Sequence, residues 1–294
     1  MQISNQTEMV LEVIIMKKII ALVMALALIA CCFAGCGSKI TTKVIDINLT
    51  EEDYAFGVDK SQPELLSQVN AFIKEIKENG KFDEICNKYF GDGTPTPVTS
   101  CVEDASKDQL VVATNAAFEP FEYTDGDKYL GIDMEIAALL AQKLGKELVI
   151  KNMNFESVCL SVGQKQCDIA MAGLTIKEDR KEHVNFSDSY YAAAQKIIVL
   201  SDNKEFDGCK TADDVVEILG AKGKETKIGF QNGTTGQFYV EGDEDWEFDG
   251  FGVTPVGYTN GSLAVQDLIN GNVNYVIIDS APADCITESI NALQ

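Results

Sequence analysis

From Leu110 onward, short aliphatic runs alternate with stretches whose apolar residues recur at helical spacing, and few architectures accept that order. The strand-like runs are LVVAT (110–114), ELVI (147–150), DIAMA (168–172), KIIVL (196–200), KIGF (227–230) and NYVII (274–278). Between the first two, Ile132, Ile136, Leu140 and Leu144 fall on one face of a helix. Strands and helices in alternation predict an α/β fold.

A separate piece lies upstream. KVIDI (43–47) and YAFGV (54–58) read as strands, and Leu65, Val69, Phe72, Ile73 and Ile76 as one face of a helix that stops at Asn79 and Gly80. KFDEICNKYFG (81–91) supplies a further short helix. The stretch TPTPVTSCVEDASKD (94–108) has the Pro, Thr and Ser content of an exposed linker. The acidic run EGDEDWEFDG (241–250) sets Asp245, Glu247, Asp249 and Gly250 at the spacing of the first half of a calcium loop. Val256 stands at the twelfth position, where such a loop needs Glu, so a solvated acidic loop and no metal site is expected.

Near the start, MKKIIALVMALALIACCFAGC (16–36) has a basic opening at Lys17 and Lys18, an apolar run, and small residues before Cys36. This is the layout of an export signal, Met16 is the expected start, and FAGC resembles a lipobox in which Cys36 is lipidated after cleavage. The run from Ile19 to Ala34 is shorter than the ~20 residues a spanning helix needs. Beyond the signal lie Cys86, Cys101, Cys159, Cys167, Cys209 and Cys285, with no CxxC pair. Mostly buried free thiols are expected, since a core of this size does not require disulfides.

Charge and rare residues exclude whole classes of function. With 46 Asp+Glu against 24 Lys+Arg the formal net charge is −22, a surface that repels nucleic acid. The single histidine, His183, is too few for HExxH zinc sites and leaves little for His-relay chemistry. Arg180 is the only arginine, in AGLTIKEDRKEHVNFSDSYY (172–191). Lysine serves for surface charge, whereas a guanidinium offers a planar fork that grips a carboxylate by two parallel hydrogen bonds. A chance survivor on a helix surface is the plain alternative; a carboxylate ligand is the sharper reading.

Three further features bear on ligands. In KIGFQNGTTGQFYV (227–240) a strand runs through a Gly-rich turn into a helix start, where N–H groups favour an anion, although such turns are also ordinary connectors. It lacks the lysine of a phosphate-binding P-loop. Asp279 directly follows NYVII and so sits at the carboxyl end of a strand, where α/β proteins bind ligands and where an Asp also caps helices. Phe118 and Phe155 stand at two other strand ends, as core rings or as flanks for a ligand side chain.

ATNAAFEPFEY (113–123), YLGIDMEIAALLAQKLGKEL (129–148), MAGLTIKEDRKEHVNFSDSYY (171–191), IGFQNGTTG (228–236) and VIIDSAP (276–282) together resemble the polar amino-acid-binding proteins of bacterial ABC importers. The resemblance covers nearly all of residues 43–294 except the linker and implies a type II periplasmic-binding-protein fold of two lobes and a hinge. It implies that Arg180 binds a ligand α-carboxylate with backbone N–H groups at Thr175 and Thr235. It further implies that Asp279, the Gly173 carbonyl and the Thr175 hydroxyl hold the α-ammonium, while Phe118 and Phe155 sandwich the side chain. Asn115 and Gln231 stand where relatives vary with substrate.

One departure matters. The segment 50–91 resembles the end of such proteins but here precedes the first strand, which reads as a circular permutation through the linker; debris of a duplicated gene is the alternative. The expected organisation is a signal at 16–36, lobe 1 from 57–92 plus 110–198, a linker at 93–109, and lobe 2 from 39–56 plus 199–294, with hinges near Val58 and Val199 or Leu200. The resemblance implies a monomer without cofactor or metal, lipid-anchored on the extracellular face of the bacterial membrane, passing a free polar or charged L-amino acid to ABC permease subunits. No nucleic acid partner is expected. An exported lyase like cyclohexadienyl dehydratase on the same fold is the other reading, and a sensor module a third.

Overall fold

The computed structural model describes residues 39–294, so the export signal and Cys36 lie outside the described residues. The upstream piece forms β1 (Thr42–Ile45), β2 (Glu52–Tyr54), β3 (Gly57–Asp59), α1 (Pro63–Glu78) and α2 (Lys81–Phe90). After the linker come β4 (Gln109–Thr114), β5 (Ala117–Phe118), β6 (Glu122–Asp125), β7 (Lys128–Leu130), α3 (Ile132–Leu144) and β8 (Glu147–Asn152). Then follow α4 (Val158–Gly163), β9 (Ile169–Ala170), α5 (Glu178–Lys181), β10 (Val184–Phe186), β11 (Tyr191–Ala193) and β12 (Gln195–Leu200). The last stretch holds α6 (Ala212–Gly220), β13 (Lys227–Gln231), α7 (Thr235–Glu241), β14 (Thr254–Tyr258), α8 (Gly261–Ile269), β15 (Tyr275–Asp279) and α9 (Ser280–Leu293).

Two five-stranded sheets organise two lobes. Lobe 1 has the order β10-β3-β9-β4-β8 and lobe 2 the order β1-β12-β15-β13-β14. In each, three strands run parallel: β9, β4 and β8 in one, β15, β13 and β14 in the other. In each, one strand runs antiparallel to both neighbours, β3 in lobe 1 and β12 in lobe 2. Each is the first strand the chain forms after crossing between the lobes. Between the lobes, β2 and β11 pair as a two-stranded ribbon, and Tyr54 of β2 also bridges to Thr175.

Local sequence explains the elements that position this frame. In α1, Pro63 sits in the first turn, where its missing N–H is no loss, and Gly80 just beyond the helix takes φ +77°, a left-handed conformation that ends the run. Leu65, Val69, Phe72, Ile73 and Ile76 are buried along its inner face, each contributing about 1.5–3 kcal/mol at most. The expected strand 54–58 divides: Tyr54 ends the ribbon, and Gly57 begins β3 in the sheet of lobe 1. Gly57 permits the entry, because a Cβ there would lie 2.9 Å from the Val184 side chain on the neighbouring strand. Val58 and Val199 are therefore interior to sheets, and the crossings run through β2 and β11; the expected lobe boundary at 198/199 falls inside β12.

The linker is exposed over most of its length but is strapped to lobe 1. Val98 is buried and exchanges backbone hydrogen bonds with Tyr129 of β7, and the Cys101 N–H donates to the Leu148 carbonyl of β8. At the other side of the molecule the Asn291 side chain of α9 accepts from the Thr42 N–H at 2.9 Å and donates to the Thr42 carbonyl at 2.8 Å. The last helix is thus tied to the first strand. The six described cysteines are all free; Cys159 and Cys167 are buried, Cys101 is exposed, and the others are half-buried, so burial holds for fewer than expected.

Candidate functional site

Strand ends and helix starts from both lobes converge on one small cavity. Its walls are Phe118, Phe155, Gly173, Thr175 and Arg180 from lobe 1, and Gln231, Thr234, Thr235 and Asp279 from lobe 2. Eight of the nine residues singled out from the sequence are in this wall. The ninth, Asn115, stands behind it: its carbonyl oxygen accepts from Gln231 Nε2 at 2.9 Å and its amide donates to the Met153 carbonyl at 2.7 Å. Those two amides thereby link the end of β13 to the turn after β4.

Arg180 is buried on the four-residue helix α5 and stacks over the Phe155 ring at 5.2 Å. Its Nη1 donates to the Thr175 carbonyl at 2.8 Å and its Nη2 to the Gly233 carbonyl of lobe 2 at 3.0 Å. Both bonds go to backbone carbonyls, so its full positive charge is available to a ligand anion. Gly173 takes φ +53°, and a Cβ there would lie 2.9 Å from the Phe118 ring, so glycine is needed on both counts. The Gly173 N–H donates to the buried Asp133 at 3.0 Å, and Tyr190 donates to the other oxygen at 2.7 Å. Burial pushes the Asp133 carboxyl up to about 7 against those two bonds.

Asp279 occupies the N-cap position of α9 but does not cap it with its side chain. The carboxyl turns inward, where Tyr54 of the ribbon donates to it at 2.6 Å. Burial, with the nearby Glu52 charge adding, pushes Asp279 up to about 7. Thr234, not Thr235, precedes α7, and it donates to the Gln231 carbonyl at 2.7 Å, so no side chain caps that helix start.

Sequence reasoning missed Glu52, Tyr54, Thr234 and Lys177. Glu52 and Tyr54 share one face of β2 by the two-residue period, and this face is the buried one. In TEEDYAFGV the acids fall on both faces, so nothing local marks Glu52 as the inward one. Lys177 of lobe 1 is buried between Asp243 at 2.6 Å and Asp245 at 3.3 Å of lobe 2, with the Phe238 and Trp246 rings at 4.7 and 5.4 Å from its ammonium. The acidic run 241–250 is thus a seat for a lysine, not only a solvated loop.

The chain matches the family described as bacterial extracellular solute-binding proteins, family 3, over residues 3–92 and 110–278. It belongs to that family. The arginine-binding extracellular protein ArtP of Bacillus subtilis is 35% identical over 127 residues, which cover 42% of this chain and 50% of that protein. A probable histidine-binding protein of Neisseria gonorrhoeae is 29% identical over 58% of each chain. The chain thus spans half to little more than half the length of these relatives. Among solved structures, an ancestral arginine-binding protein bound to arginine is 33% identical with a TM-score of 0.52, over 62% of this chain and 75% of that one. An ancestral amino-acid-binding precursor of cyclohexadienyl dehydratase is 28% identical with the same TM-score and coverage. These neighbours share the two-lobed α/β fold.

Proposed function

We propose that this protein captures a free polar or charged L-amino acid between its lobes and delivers it to an ABC importer. One observation supports the reading: the Arg180 guanidinium from lobe 1, which has no carboxylate partner among the described residues, and the Asp279 carboxyl from lobe 2 line the same cavity. A zwitterion has the two charges needed to meet both. Because it touches both lobes, ligand binding favours their closed arrangement, and rotation about the β2/β11 ribbon opens it. Phe118 and Phe155 flank the side chain, and Gln231, held by Asn115, meets its far end.

The ligand class we favour is cationic. Glu52 and Asp279 bring two buried carboxyl groups against one arginine, so a basic side chain balances the site, and relatives named for arginine fit this. A thermal-shift screen of the twenty amino acids with ornithine and cystine tests the function: a basic amino acid should raise the melting temperature most. No shift with any of them would refute it. We read the protein as a binder and not a lyase, since Asp279 is engaged by Tyr54 and Glu52 by four donors; product from prephenate or arogenate would reverse that reading.

We infer further that the chain is circularly permuted and is tethered through Cys36 to the outer face of the membrane, where it acts as a monomer. The permutation is supported by the adjacency of α9 to β1 through Asn291 and Thr42, and by the way the upstream piece supplies strands to both sheets.

A further inference from the structure

Glu52 lies in the ribbon between the lobes with its carboxylate inside the protein. Oε2 accepts from Thr175 Oγ1 of lobe 1 at 2.6 Å and from Thr235 Oγ1 of lobe 2 at 2.8 Å. Oε1 accepts from Thr50 Oγ1 at 2.6 Å and from Gln195 Nε2 at 3.1 Å. A hydroxyl has one proton and two lone pairs, and a carboxylate has no proton to give. Each threonine therefore commits its only proton to Glu52 and can show the cavity nothing but an acceptor. Thr235 is doubly fixed, since Gln195 Nε2 also donates to its oxygen at 2.8 Å.

We propose that Glu52 is a specificity-determining residue: by taking the protons of Thr175 and Thr235 it makes the Asp279 end of the cavity accept N–H groups and reject carboxylate oxygens. The ligand carboxylate is then left to Arg180, and a zwitterion can enter in one orientation only. This rests on the cavity being an amino-acid site and adds the device that orients the amino acid. Arg180 and Asp279 set the orientation by charge and Glu52 enforces it, because threonine hydroxyls with free protons serve either end of a zwitterion.

Glu52→Gln tests it with almost no change of shape. Gln195 Nε2 keeps the new amide oxygen on its own side, so the amide nitrogen faces the two threonines and frees their protons toward the cavity. Calorimetry compares L-arginine with 5-guanidinopentanoate, which lacks the α-ammonium; if another amino acid wins the screen, it and its own des-amino acid replace the pair. The wild type should prefer the amino acid strongly, and Glu52→Gln should shrink that preference by about tenfold or more. Should that variant not fold, Thr175→Val and Thr235→Val, which delete the acceptors, should each shrink it too. A wild type that discriminates and variants that discriminate equally would overturn the role of Glu52 while leaving the site intact. A wild type that binds no amino acid would overturn the site and this role together.

Discussion

At the scale of single residues, the site was legible where chemistry made a residue conspicuous. Arg180 stood out as the only arginine beside many lysines, and Asp279 as an acid directly after an apolar strand. Glu52 carried no such mark, because its neighbours Glu51 and Asp53 are acids as well and only the pairing of β2 with β11 decides which one turns inward. Replacing Arg180 by Ala should leave a ligand carboxylate buried without a partner, at about 3–5 kcal/mol or a hundred- to several-thousand-fold in affinity by calorimetry. Unchanged affinity would remove it from the site. Asp279 sets the pH dependence. Burial and the neighbouring Glu52 charge hold its carboxyl up to about 7 in the free protein against the Tyr54 hydrogen bond, whereas a ligand ammonium favours the ionised form. Binding therefore releases a proton below about 7, so affinity should rise with pH up to that point and then level off, and Asp279→Asn should flatten the profile.

At the scale of elements, apolar runs and helical spacing were enough to place most of the strands and α1 to α3. What they could not show is where a strand changes partner. YAFGV reads as one strand, yet Tyr54 and Val58 belong to different sheets, and the sequence marks the change only by Gly57, which packs closely on Val184 where β3 begins. The acidic run 241–250 was similarly opaque, since its role depends on a lysine far away in sequence. Lys177 in its seat of Asp243, Asp245, Phe238 and Trp246 joins the lobes. Lys177→Met would leave Asp243 buried without its cation and so disfavour the closed arrangement, weakening ligand affinity by about tenfold or more. Calorimetry showing equal affinity would mean that the seat contributes nothing to closure.

At the scale of the whole molecule, the upstream piece is structural in both lobes: β1 edges one sheet, β3 is interior to the other, and Ile85 of α2 is fully buried. Deleting residues 39–108 should therefore abolish folding, as read by circular dichroism and cooperative unfolding; a soluble deletion variant that still binds ligand would contradict the permuted organisation. Stability should also depend on pH. The folded Asp133 and Asp279 carboxyls sit at about 7, above the value of 3.8 in an open chain. Their contribution is full below about 4 and is lost as pH rises through about 7, so the ligand-free protein should melt at a higher temperature at pH 5 than at pH 8. A crystal structure of the protein with its amino acid bound is the most direct test of the central idea. It should show the ligand carboxylate on the Arg180 guanidinium and the ammonium at Asp279; a ligand lodged elsewhere, or bound in the reverse orientation, would contradict it.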